Sequence, residues 1–196
     1  MASQSTYDRI HAVVDGLLVA TAEKQQMTEH RQLVTMIEAR RHLLVGAKAL
    51  TAYMEQRFTK DTDYVVGRRD FARIRKWFRE QGIAHEDRGE VIQSEALAID
   101  VIDGHYHPVL KEILKQESGL PSAEALAATK YVAFVSDTRE QRKKYQDIAD
   151  FAGLVTLDGF DVNKFLAFLV DRYAEQRGQA RELIDRIRRN EFPITI

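Results

Sequence analysis

The sequence predicts an α+β fold: a small mixed sheet flanked by helices, followed by a helical C-terminal region. Three observations predict it. Short apolar runs rich in branched residues, His42-Leu43-Leu44-Val45, Tyr64-Val65-Val66, Val91-Ile92-Gln93 and Ala96 to Ile102, have the length and composition of strands. Between them, apolar residues recur three and four apart, the spacing of a helix with one buried face. After Leu120-Pro121-Ser122 the strand-like runs stop and each remaining segment has helical spacing. The expected division is a core over 1–118 and a helical region over 119–196.

Bulk properties narrow the function classes. With 30% charged and 44% hydrophobic residues, the 196-residue chain has the make-up of a folded domain, not of a disordered tail. A net charge of -1 argues against DNA sequence recognition, although a local basic patch is compatible with it. The absence of cysteine excludes disulfides and zinc–thiolate sites. No apolar stretch approaches the roughly 20 residues needed to span a bilayer. Met1-Ala2-Ser3-Gln4-Ser5-Thr6 lacks the charged start and long apolar run of a secretory signal. The expectation is a soluble cytoplasmic protein with no membrane partner.

Taken in order, Ser5 or Thr6 is placed to cap a first helix carrying Ile10, Val13, Val14, Leu17 and Leu18 on one face. A second helix is expected from Thr28 to Arg40, with Leu33, Met36 and Ile37 inward. The strand 42–45 ends at Gly46, and Ala47 to Met54 reads as a helix whose N-terminal N–H groups suit a phosphate. Arg57-Phe58-Thr59-Lys60 connects to a strand over Asp61-Thr62-Asp63-Tyr64-Val65-Val66. Side chains alternate along a strand, so Asp61 and Asp63 share one side. Two carboxylates so close repel unless they are solvated or bridged by a cation, and a hard ion such as Mg²⁺ accepts such oxygens.

Asp70 is placed to cap a helix from Phe71 to Gly82, with Phe71, Ile74 and Phe78 on one stripe and Trp77 at its edge. Arg68, Arg69, Arg73, Arg75, Lys76 and Arg79 make it basic, either as a phosphate- or RNA-facing surface or as the solvated face of an amphipathic helix. Residues 82–90 read as a loop. Asp100 lies between Ile99 and Val101 within an apolar run, where an unpaired charge is costly. It therefore requires a cation, an arginine or a metal. Asp103-Gly104 reads as a turn. His105 and His107 are either a metal pair at strand spacing or part of the turn before Pro108, which starts a helix from Val109 to Lys115.

In the C-terminal region Ser122 opens a helix over Ala123 to Phe134. Its Lys130 is either a snorkelling lysine or a cation aimed at phosphates. The basic residues Arg139, Arg142, Lys143 and Lys144 precede Asp147, which has helical ion-pair spacing to Lys143 and Lys144. A break follows from Gly153 to Gly159. Asp161 then caps a helix carrying Phe165, Leu166, Phe168 and Leu169, and a last helix carries Leu183, Ile184 and Ile187.

The order of these pieces is more telling than any one of them. Strand, Gly46, helix, Asp61-x-Asp63, helix and a strand bearing Asp100 supply the carboxylates that metal-assisted phosphoryl chemistry uses. Two would hold the cation that grips a triphosphate, and the third would help activate the attacking hydroxyl.

Val45-Gly46-Ala47, Asp61-Thr62-Asp63 and Ile99-Asp100-Val101 resemble the strand–glycine turn, Asp-x-Asp and lone strand Asp of the DNA polymerase beta superfamily of nucleotidyltransferases. Within it, Leu126-Ala127-Ala128-Thr129-Lys130 and Arg142-Lys143-Lys144-Tyr145-Gln146-Asp147-Ile148-Ala149-Asp150 are similar to the AbiE-type (AbiEii-like) toxin nucleotidyltransferases and their relatives. The resemblance spans roughly residues 30 to 155. It implies a nucleotidyltransferase fold and transfer of a nucleoside monophosphate from an NTP to an RNA end such as that of tRNA, a protein hydroxyl or a small molecule. Mg²⁺ (or Mn²⁺) would be held by Asp61, Asp63 and Asp100. Gly46, Ala47 and Lys130 would bind nucleotide, and Asp100 and Asp147 would act in catalysis. A cognate antitoxin or toxin protein is the implied partner. Two positions depart from the pattern: Ala47 replaces a small Gly or Ser, and Thr62 replaces an apolar residue. They leave open an alternative, a catalytically weakened or inactive binding module on the same fold.

Overall fold

A computed structural model describes residues 4–55 and 59–191, with side chains from residue 19 onward. Its elements are α1 (Gln4–Glu38), β1 (His42–Val45), α2 (Gly46–Leu50), β2 (Thr62–Val66), α3 (Arg68–Gln81), β3 (Glu86–Asp87), β4 (Val91–Ser94) and β5 (Ile99–Asp103). There follow α4 (Pro108–Gln116), α5 (Ala123–Phe134), α6 (Gln141–Val155), α7 (Val162–Phe168), a 3-10 helix (Asp171–Gln176) and α8 (Arg177–Arg188). The strands form one mixed sheet in the order β1-β2-β5-β4-β3. β2 and β5 are parallel, and the other neighbours are antiparallel. This is an α+β arrangement, with the expected helical run after the sheet. No helix among the described residues is long and apolar enough to cross a membrane.

Alternation along the strands divides the apolar side chains between two cores. Tyr64 and Val66 of β2 and Ile99 and Val101 of β5 pack with Leu33 and Ile37 of α1 and Phe71, Ile74 and Phe78 of α3. Leu43, Val45 and Val65 face the other way, onto Val109 and Ile113 of α4 and the apolar residues of α5 to α8. Asp63 shares the parity of Val65, so its face of the sheet is the one covered by the C-terminal helices. Gly119 makes a parallel bridge to Leu43 at the free edge of β1, with Leu44 N–H donating to Gly119 O at 2.8 Å and Gly119 N–H donating to His42 O at 2.8 Å.

Several expectations change. One helix, α1, replaces the two expected over 5–40, because residues 19–27 contain good helix formers and no Gly or Pro to stop it. Ser5 and Thr6 therefore lie inside α1. The apolar face Ile10, Val13, Val14, Leu17 and Leu18 lies outside the described side chains, and Arg57 and Phe58 lie outside the described residues. The helix after Gly46 ends at Leu50, and residues 51–53 continue as tight turns with i to i+3 bonds. α3 starts at Arg68 after Gly67. Asp70 does not cap it but pairs with Arg40 at 3.1 Å and Arg73 at 3.0 Å. The 82–90 loop contributes the short edge strand β3, paired with β4. The break expected at Gly153 begins at Thr156, because Gly153 lies within α6 where a larger side chain would collide with Met54. Ser122 and Asp161 cap α5 and α7 as expected.

Candidate nucleotide and metal site

Strand register assembles the site. Asp63 stands opposite Val45 on one side and Asp100 on the other, and Asp100 stands opposite Gln93 of β4. Residues paired across strands present their side chains to the same face, so Asp63, Asp100 and Gln93 form a row on the face covered by α5 and α6. Gly46 closes the row. It holds φ at 69°, in the left-handed region, and a Cβ there would come within 2.8 Å of Asp63 Cγ and closer still to Oδ2. Only glycine satisfies both demands. Gly46→Ala is therefore expected to destabilise the fold by more than the ~1 kcal/mol of a left-handed alanine and to push Asp63 out of the row. Denaturant unfolding together with nucleotide affinity checks this.

The electrostatics reflect crowding of like charges. Burial, and then the neighbouring Asp100, push the Asp63 carboxyl up to about 6; Asp61 adds to the rise, while Lys130 and Lys48 oppose it. Asp100 is also raised, first by burial and then by Asp61, against the Gln93 hydrogen bond and the Arg88 and Lys143 charges. The three carboxylates thus feel one another, with lysines from α2, α5 and α6 around them. Asp61 is exposed and lies one residue before β2. Asp100 is half-buried, and its partner is a neutral amide where a cation, arginine or metal was expected: Gln93 Nε2 donates to Oδ2 at 2.7 Å. Thr62, on the opposite face from Asp63, accepts from Lys48 Nζ, which gives this departure from the family pattern a structural use.

Lys130 is buried in the helical region and does not snorkel. Its ammonium lies 2.9 Å from Asp147 Oδ1 and 2.7 Å from Asp150 Oδ2. Asp147 also accepts from Arg139 at 2.9 Å. The pairs expected from helical spacing, Asp147 with Lys143 or Lys144, are not the ones formed. Asp147 is turned inward and only 2% exposed, whereas Lys143 is solvent-facing. Gln93, Lys48, Arg139 and Asp150 were missed by sequence reasoning. Asp150 had a signal, since it sits three residues after Asp147 on the same helical face. Gln93 had none without the register.

Other candidates fall away. His107 stacks on Tyr173 with ring centres 5.5 Å apart, and His105 is exposed, so the two do not form a metal pair. Asp103 ends the central strand β5, three residues on from Asp100, and accepts from His105 N–H at 2.9 Å. Much of the α3 charge is neutralised: Arg73 by Asp70, Arg75 by Asp87 and Lys76 by Glu80.

Among the described residues, no group of three or more His, Asp or Glu side chains is arranged as a ready metal cage. What is present is the Asp63–Asp100 pair with Asp61 beside it. These are hard oxygen donors whose mutual repulsion a divalent ion would relieve. Mg²⁺ is usually held by one or two carboxylates together with substrate phosphates, so the donor set fits such an ion.

Residues 106–194 match the family model of the nucleotidyl transferase AbiEii toxin of the type IV toxin–antitoxin system. No curated protein matches the chain. The matched stretch runs from the turn before α4 through α8. It includes Lys130, Asp147 and Asp150, extends well past residue 155, and leaves Gly46, Asp61, Asp63 and Asp100 outside. The match is consistent with an AbiEii-like nucleotidyltransferase, the family that the sequence resembles.

Proposed function

We propose that the chain transfers a nucleoside monophosphate from an NTP to an acceptor hydroxyl, as a toxin-type nucleotidyltransferase with a cognate antitoxin. The observation that carries this reading is the cross-strand row of Asp63 and Asp100 against Gly46, with Lys130 acting electrostatically on Asp63. Asp61, Asp63 and Asp100 would hold Mg²⁺ (or Mn²⁺). When bound, the ion neutralises triphosphate charge and favours the ionised form of the attacking hydroxyl. The backbone at Gly46 and Ala47 and the ammonium of Lys130 take phosphate oxygens. Because the Ala47 side chain is itself buried, position 47 offers a phosphate its backbone. Asp100, raised and half-exposed, is suited to accept the hydroxyl proton. The acceptor oxygen then bonds to the α-phosphorus and pyrophosphate departs. Asp147 and Asp150 act by holding Lys130.

The acceptor favoured here is RNA, such as a tRNA end, over a protein hydroxyl or a small molecule. Arg88 and Lys143 both act on Asp100, and a cleft of about 470 Å³ beside it is lined by Asp61, His85, Glu86, Arg88, Gln93, Glu95 and Asp100, with Arg88 paired to Glu86 at 2.8 Å. The two cations acting on Asp100 support a polyanionic acceptor.

Asp63 must be ionised to bind a cation. NTP binding in Mg²⁺ should therefore be full above about pH 7 and weaken as pH falls through about 6, measured as Kd against pH by calorimetry. The activity test is incubation with each labelled NTP, Mg²⁺ and total RNA. Label transfer that vanishes in Asp63→Ala supports the enzyme. NTP binding without transfer in any acceptor mixture would assign a binding module instead.

A further inference from the structure

The opposite end of the sheet carries a second feature, outside the transfer site. β2 and β5 run parallel, and Asp63 and Asp100 stand near their starts, about 10 Å along the strands from the ends. Beyond those ends lies a concavity of about 370 Å³ lined by Arg41, Arg68, His105, Lys111 and Lys115, with Gly67 and Gly104 at its floor and no carboxylate in its wall. Arg41 reaches it from the start of β1, and Lys111 and Lys115 project from α4 one turn apart. Arg41 is fixed by donating to the Leu114 and Lys115 carbonyls at the end of α4.

Four cations around one hollow repel one another, and the pairing of Lys115 with Glu112 on α4, at 2.8 Å, offsets part of that charge. Elsewhere on α3, Arg73, Arg75 and Lys76 have acidic partners. Arg68 instead lies over the ring of Tyr106, 5.4 Å from its centre, and Tyr106 is 49% exposed. An exposed aromatic face beside clustered cations combines a stacking platform with phosphate contacts, the pairing used for unpaired nucleic-acid strands. An inorganic phosphate would use the cations and leave the ring idle.

We propose that this pocket is a second RNA contact, in which Arg68, Lys111 and Lys115 take backbone phosphates and Tyr106 stacks an unpaired base. It deepens the proposed function and rests on its RNA acceptor. The pocket would hold the acceptor at a distance from its reacting end.

The test measures binding of a labelled single-stranded RNA and of a tRNA pool, without nucleotide, across a salt series, so that it does not depend on transfer. The Arg68→Gln/Lys111→Gln variant should lose about tenfold in affinity, and its salt slope should fall by about 1.4, or about 0.7 for each phosphate contact removed. Tyr106→Ala should lose at least about fivefold. The control Arg73→Gln/Lys76→Gln, with equal charge change on α3 outside the pocket, should lose less, and Mg²⁺-dependent NTP binding should be unchanged in all three. Equal losses in pocket and control variants, no loss in either, or binding of inorganic phosphate without RNA would overturn the proposal.

Discussion

Replacing Asp63 with asparagine should make the metal-free protein more stable while abolishing nucleotide transfer. The carboxyl is raised from its ordinary value of 3.8 to about 6, chiefly by burial and by Asp100. A carboxyl raised in the folded state makes the native protein bind more protons than the unfolded chain between those values. Stability is then greatest below the unfolded value and declines as pH rises through about 6. At neutral pH the ionised group costs on the order of 3 kcal/mol. Asparagine keeps the shape and removes the charge. Urea unfolding should find Asp63→Asn more stable at pH 7.5, with the difference closing toward pH 4. Transfer should fall by at least about 100-fold, as for loss of a transition-state electrostatic contact. A residue placed for structure alone would show the reverse, a less stable asparagine variant, and that result would contradict its assignment to a charged ligand.

The second large effect is expected at Lys130. Its side chain is 10% exposed, and those of Asp147 and Asp150 are 3% and 10% exposed. Lys130→Met fills the space but leaves two buried carboxylates without their shared cation. Loss of one partner of a buried ion pair costs roughly 3–5 kcal/mol. Arg139, which still reaches Asp147, should hold the loss near the lower end, about 3 kcal/mol. Lys130→Arg should restore part of the stability. A change below about 1 kcal/mol in urea unfolding would show that the cluster is solvated in solution.

These expectations rest on features of unequal legibility. The strands near 42–45, 62–66 and 91–94 were readable because each is a short branched apolar run, whereas the run expected as a strand over Ala96 to Ile102 turns at 95–98 and its strand is Ile99–Asp103. Caps at Ser122 and Asp161 were readable from residue type and position. Asp63 could be singled out as one of an Asp-x-Asp pair and Asp100 as a charge within an apolar run, but their adjacency depends on a parallel pairing that is not local in sequence. For the same reason the sequence hides Gln93, the amide that donates to Asp100. Asp70 was misjudged because Gly67 starts α3 one turn earlier, which frees the aspartate to pair with Arg40 from the end of α1. Asp147 has cations three and four residues away, yet it turns inward to Lys130 on another helix. Local spacing names available partners, and packing chooses among them.

The central claim is that Gly46, Asp63, Asp100 and Lys130 form one site for a metal-bound triphosphate. Calorimetric titration of NTP into the protein tests it most directly, with Mg²⁺, with chelator in place of Mg²⁺, and with Asp63→Asn. The predicted result is saturable binding that requires both Mg²⁺ and Asp63. Absence of binding at high NTP and Mg²⁺, or equal binding by wild type and Asp63→Asn, would contradict the claim.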